Sequence, residues 1–248
     1  MFGTHFYHST MRKAVAVFGT LFNNISVIRT KADGSVLNQI KIPLAYGPKQ
    51  KFLARLDQST GADANMAIKL PRMGFEITSL ELDSTQKLAK RNIITETHAS
   101  DVTKKKTIKQ QVAYNINVSL FAMAKNQDDG LQIIEQILPY FQPEYTVTIT
   151  PVTGFAYKQD VPIILTGVSI SDDYEGDFLT RRALIYQMDF TMKMKFFGPT
   201  SNQGVIREIN VDFNNDAGGS DILENMDFTI DPTTAGEDDN YTVTTTIS

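Results

Sequence analysis

The 248-residue chain contains no cysteine. That absence excludes disulfides, thiolate metal sites and thiol nucleophiles, and it fits assembly in a reducing cytoplasm. Histidine is nearly absent too: only His5, His8 and His98 occur, in no metal-ligand spacing, so ordinary surface histidines are expected. No apolar run approaches the ~20 residues that cross a bilayer as a helix. Residues 11 to 22 imitate a signal peptide, with a basic start and an apolar run. However, Met11, Ala14, Val15, Phe18 and Phe22 form a helical stripe that Ser9 or Thr10 can cap, and no small-residue cleavage pattern follows. Phosphate-loop glycines, a Gly-x-Ser-x-Gly elbow and a His-Glu-x-x-His helix are all missing. No catalytic, cofactor-binding or metal residue is assigned, and no cofactor is expected; the chain reads as a non-enzyme.

Positive charge is absent from one end. All 24 Lys and Arg precede residue 208, whereas residues 208 to 248 carry ten of the 28 acids. The body is thus formally +6 and the tail −10, two parts with opposite electrostatics. Two readings stand: a solvated, flexible extension, or an arm that docks on a basic surface.

What is present is ordinary globular material, 42% hydrophobic and 21% charged, enough to bury a sizeable core. Residues 25 to 30 and 36 to 42 flank Asp33 and Gly34, the signature of a β-hairpin. Pro48 to Leu56 predicts a short helix with Phe52, Leu53 and Leu56 inward. Phe75 and Ile77 alternate in one register and Leu80 and Leu82 in the other, which predicts a bulge near Ser79. Residues 84 to 109 are polar and predict a long loop or arm. Strands are expected at 112 to 120, 145 to 150, 161 to 171 and 184 to 196. The last of these has seven apolar residues on one face and is long enough to protrude or curve strongly. An α+β fold follows, a largely antiparallel sheet packed on one side by a few helices, with extended loops and a C-terminal arm. One domain over residues 1 to 213 and an acidic extension over 214 to 248, ending in a β-prone segment, are the expected divisions.

The most informative string is DDGLQIIEQILPYFQPEY, Asp128 to Tyr145. Leu131, Ile134, Ile137, Leu138 and Phe141 predict a helical apolar face, and Asn126, Asp128 and Asp129 supply a cap and negative charge at its start. Pro139 ends the helix and Pro143 favours an extended exit.

This string resembles the helix of the tail sheath stabilisation and completion (tail terminator) proteins of T4-like, contractile-tailed bacteriophages. The similarity extends to Met1-Phe2-Gly3, Leu21-Phe22, Asn24-Ile25, Ile42-Pro43, Tyr46, Lys49, Phe52 and Leu70-Pro71-Arg72. It continues at Asp177, Leu179, Thr180, Arg181, Arg182, Pro199, Gly204, Ile206, Arg207, Asp212 and Phe213. Residues 57 to 67, 84 to 107 and everything after 213 depart from it. The resemblance implies a tail-terminator-like fold and a structural virion protein. It implies a homo-hexameric ring at the tail-neck junction, capping the head-proximal end of the tail and stabilising the extended sheath. Its implied partners are the tail sheath protein, the tail tube terminator and head-neck proteins, with no membrane and no direct nucleic-acid contact. A tube terminator and a DNA-contacting neck or head-completion protein are the alternatives.

Candidate subunit or partner contacts follow from charge and exposure. Lys104, Lys105 and Lys106 form a basic cluster that lacks the aromatics of single-strand binders, so a solvated loop or protein contact is preferred. Asp173, Glu175 and Asp177 tempt a calcium assignment, but a loop registered on Gly176 would begin at Ser171 and end at Arg182, where acids are required. A turn whose acids face Arg181, Arg182 or a neighbouring subunit is expected instead. Tyr140 and Tyr145, with Tyr241 and Val243 in the terminal segment, complete the candidate contacts. Ile134, Ile137, Leu138, Pro139, Phe141 and Pro143 are assigned structural roles.

Overall fold

The computed structural model describes residues 5–31, 33–57, 70–86, 89, 92–97, 104–173, 183–204, 206, 208–214, 222–231 and 240–247. The chain forms two compact units, residues 7–87 with 112–196 and residues 1–6 with 88–111 and 197–248.

The larger unit is built on a six-stranded sheet. Its strands in chain order are β3 (Leu44–Tyr46), β4 (Arg72–Leu82), β7 (Val112–Ala124), β8 (Glu144–Ile149), β9 (Gln159–Asp173) and β10 (Ala183–Phe196). The spatial order is β3-β4-β7-β10-β9-β8, antiparallel throughout except for the parallel β3–β4 pair. β10 occupies the interior of this sheet, paired with β7 over residues 184–196 and with β9 over residues 183–192, so its length is taken up by ladder pairing and not by the expected protrusion. The register of β4 against β7 shifts between Ile77 and Ser79, the bulge that the change of apolar phase predicts.

Alternation along the strands sends two sets of side chains to opposite faces. Leu184, Tyr186, Met188, Phe190, Met192 and Met194 of β10 are buried on one face. There they meet α1 (Thr10–Leu21), through Ala14 and Phe18, and α3 (Gln127–Ile137), through Ile133, Ile134 and Ile137. Phe18 sits among Phe22, Phe75 and Phe190, with ring centroids 4.8 to 5.4 Å apart. The other face is not bare, as a one-sided packing expects. The third helix, α2 (Lys49–Asp57), inserts Phe52 against Phe121, Met123 and Ile185, whose neighbours Leu120, Ala122 and Leu184 face α1 and α3. Arg72 lies over the Phe52 ring at 5.6 Å and ties β4 to this helix. Beyond α2 the same face turns polar: Ser119 donates to Asp189 at 2.6 Å, Thr191 to Asn117 at 2.9 Å and Asn117 to Ser79 at 2.8 Å.

A hairpin, β1 (Ser26–Thr30) with β2 (Val36–Lys41), completes this unit. Its turn uses Gly34 at φ 81°, a left-handed position that glycine adopts without a Cβ penalty. The Ser9 hydroxyl makes no capping bond to α1; the residue itself adopts a left-handed conformation at φ 57°.

The smaller unit contains two three-stranded antiparallel sheets. One is ordered β11-β6-β5, from β5 (Ile93–Thr97), β6 (Lys104–Lys109) and β11 (Thr200–Gly204). Residues 93–97 and 104–109 are therefore strands, not the polar loop that composition suggested. Pairing with β11, about 95 residues later in sequence, supplies hydrogen bonds that no local pattern reveals. The other sheet is ordered β12-β13-β14, from β12 (Glu208–Asn214), β13 (Ile222–Asp231) and β14 (Thr242–Ile247). Its pairing crosses residue 213, where the sequence suggested an end to the body.

Candidate assembly surfaces

The Asp128 to Tyr145 string acts as a clamp. Asp129, Gln132 and Gln136 recur at helical spacing on one side of α3 and all reach β1. Gln132 accepts from Ile28 N–H and donates to Ile28 C=O, both at 3.0 Å; Gln136 donates to Ser26 C=O at 2.8 Å and accepts from its N–H at 3.4 Å. Two side-chain amides thus satisfy the backbone of β1 on the edge away from β2, as another strand would. Asp129, 2% exposed, accepts two bonds from the Arg29 guanidinium, at 2.6 and 3.3 Å. This bidentate pairing holds the Arg29 pKa above its ordinary value. Beside it, Gly130 lies so close to Tyr186 that a Cβ would fall 2.1 Å from the ring.

These polar residues rotate the buried stripe of α3. Ile134 and Ile137 pack into the core as expected, joined by Ile133, but Leu131 and Leu138 are exposed. The helix ends at Ile137 and passes into a 3₁₀ turn, Leu138–Tyr140, carrying Pro139. The turn then delivers Phe141 against Phe22 at 6.1 Å, Phe190 at 5.1 Å and Tyr145 at 6.3 Å. Pro143 precedes β8. Leu21, Phe22, Ile25, Pro139, Tyr140 and Tyr145 line a groove of about 490 Å³ at this end of the helices, with Tyr140 67% exposed.

The structure separates the other candidates. Lys104 and Lys106 alternate with Lys105 along β6, so the apparent cluster is divided between two sheet faces. Lys106 pairs across the sheet with Glu96 and Asn202, and Lys105 with Gln203. A single nucleic-acid-binding patch therefore loses part of its charge to geometry. Asp173 ends β9, opposite Ala183; Glu175, Asp177, Arg181 and Arg182 lie outside the described residues, as does His98. Val243 lies within β14 and Tyr241 directly before it, both more than half exposed. The terminal segment is paired to β13 of its own chain.

Sequence reasoning did not single out Arg29, Gln132 or Gln136, and read Asp129 only as a cap. The i, i+3, i+7 spacing of Asp129, Gln132 and Gln136 was the available signal for a shared face. Their partner strand lies about 100 residues earlier, beyond any local pattern.

A helix keyed to a strand edge, an open aromatic groove and a C-terminal sheet with exposed apolar side chains are features suited to contacts between proteins. The chain belongs to the T4-like virus Myoviridae tail sheath stabiliser family, whose model matches residues 5–248. It is also 27% identical to the tail completion protein gp15 of Enterobacteria phage T4, over 246 residues that cover 94% of this chain and 88% of that protein. The family is one of structural phage tail proteins, which places this chain in the tail of the virion.

Proposed function

We propose that copies of this chain form a hexameric ring, with a tail-terminator-like arrangement, at the tail-neck junction. In this reading the ring caps the head-proximal end of the contractile tail. One face binds the last sheath ring and the tail tube terminator and keeps the sheath extended, while the other receives the neck of the head. The chain acts through surfaces and not as an enzyme, and it joins the tail in the host cytoplasm. The observation that carries the reading is the tail sheath stabiliser match across residues 5–248.

Symmetry supplies a physical reason for the stop. Head-to-tail contacts that close by rotation make a ring, whereas contacts that do not close continue as a helix. A closed ring on the end of an open-helical sheath leaves no further sheath site. Candidate contacts are the Tyr140 and Tyr145 groove, the basic strand β6, the acidic residues Asp173, Glu175 and Asp177, Arg181 and Arg182, and the terminal strand.

Electron microscopy of the purified protein alone and with completed tails tests this, alongside co-sedimentation with extended sheath. Rings at the upper end of tails and capture by extended sheath are expected. Absence from that end overturns the reading, and binding to bare tube without sheath assigns the chain to tube termination instead.

A further inference from the structure

The sheet β12-β13-β14 is two-faced, and among the described residues its apolar side is half-buried at the centre and exposed toward both edges. Paired positions share a face, so the register places Ile209 and Phe213 of β12, Met226 and Phe228 of β13 and Val243 and Ile247 of β14 on one side. The reverse side carries Glu208, Asp212, Asp227 and Asp231 among asparagines and threonines. A sheet of three strands with an apolar face needs that face covered. Here Ile209 and Phe213 are about half exposed, and Val243 and Ile247 are 59% and 58% exposed. No Lys or Arg occurs anywhere from residue 208 onward, whereas residues 1–207 are formally +6.

We propose that the apolar face of this sheet is seated on the positively charged body of a second copy of this chain. The inference rests on the ring reading above and names a surface for its subunit contact. Charge selects the geometry of the contact. Stacking two such sheets face to face would bring together two segments of formal charge −10, whereas sheet on body brings −10 to +6. The first arrangement is isologous and repelled; the second is heterologous and attracted, the kind of contact from which rings close. The apolar residues provide the buried centre and Glu224, which the register places opposite Phe213 on the same side, a polar rim, while the acids of the reverse side add to the attraction at longer range.

The chain's lack of cysteine allows a direct test, because one introduced thiol is the only one present. Val243→Cys reports the apolar face and Thr244→Cys the opposite one, each in the full chain at a position already exposed. Maleimide labelling is timed at trace concentration with increasing unlabelled wild-type chain, while sedimentation velocity follows association. The expected result is labelling at 243 slowed about tenfold or more where the chains associate, and labelling at 244 slowed by less than about threefold, as occupancy by mass action predicts. Added salt should relieve the protection. Association with unchanged labelling at 243 overturns the proposal and leaves the ring reading intact. Protection at 243 in the dilute monomer also overturns it, since the chain would then cover its own sheet. Rapid labelling with no association at any concentration overturns it as well, and micrographs of completed tails then decide the ring reading separately.

Discussion

Strands β10 and β13 both alternate between apolar and polar residues, yet they are held in different ways. In β10, Phe190 is 1% exposed and touches Phe18, Phe22 and Phe141, rings brought by α1 and by the turn after α3. In β13, Phe228 occupies the same kind of central-strand position, flanked in register by Ile209 of β12 and Thr245 of β14, and it is only half-buried. Alternation alone therefore does not produce stability; it produces a face, and something must cover it. The larger unit covers its face from within. In the C-terminal sheet the described residues of that face stay half-buried on β13 and exposed on β12 and β14.

Removing each aromatic is the most forceful way to break this comparison. Phe190→Ala should cost about 4 kcal/mol, the usual range for an aromatic deleted from a packed core. Phe228→Ala should cost the isolated chain less, about 1 to 2 kcal/mol, because the ring is only half-buried. Urea unfolding of the full chain, followed by amide hydrogen exchange so that the strands of each unit report separately, measures both. Equal losses would mean that the C-terminal sheet is as well covered as the core.

The clamp between α3 and β1 gives the next largest effects. Gly130→Ala should destabilise by about 3 kcal/mol, because the new methyl must displace the Tyr186 ring from a packed interior. The Arg29–Asp129 pair should respond asymmetrically. Arg29→Ala leaves a carboxylate buried at 2% exposure without its cation, costing about 3 kcal/mol, while Asp129→Ala frees an arginine that can turn to water, costing about 1 kcal/mol. Similar losses from the two variants would show that the arginine is not free to rehydrate. They would also remove the claim that the clamp is held by its buried member.

Much of the larger unit was legible from the sequence because its elements are locally consistent. The hairpin around Gly34, the bulge near Ser79, the strand carrying Met188 and Phe190 and the stripe of α1 each follow from periodicity and turn chemistry within a dozen residues. The errors share a cause. Residues 84–109 looked like a polar loop because the strand that completes their sheet, β11, pairs with β6 from far along the chain. Leu131 and Leu138 looked buried because apolar spacing was weighted above the polar residues that in fact face β1. Lysines adjacent in sequence looked like one patch, although a strand sends neighbours to opposite faces. Tyr140 and Tyr145 line one groove, whereas the docking role of any candidate contact depends on molecules outside a single chain.

Acid titration compares the two regions more gently. The Thr85 hydroxyl and backbone N–H bond Asp83 and hold its carboxyl below the usual carboxylate range, aided by Lys193. A depressed carboxylate stabilises the fold above its unfolded pKa of about 3.9, and that contribution disappears as pH falls through the lower folded value. Thr85→Ala removes the hydroxyl bond, so stability at neutral pH should fall, the loss should vanish below the folded pKa of Asp83, and the acid unfolding midpoint should move to higher pH. An unmoved midpoint would assign acid sensitivity to other carboxylates, those of the C-terminal sheet included.

The smallest expected effect on folding sharpens the comparison most. Val243 lies on an edge strand, 59% exposed, so Val243→Asn exchanges a largely hydrated methyl pair for an amide of similar size. Stability of the isolated chain should change by less than about 0.5 kcal/mol, the ordinary range for a surface site. Association between copies should nevertheless weaken about tenfold or more if Val243 is desolvated there, because the amide must then be buried without an assured partner. A residue neutral to folding and costly to assembly has been retained for a contact its own chain does not make. Were the substitution to destabilise the isolated chain as much as a core change, the C-terminal sheet would be internally supported after all. The contrast between β10 and β13 would then reflect only the depth of burial.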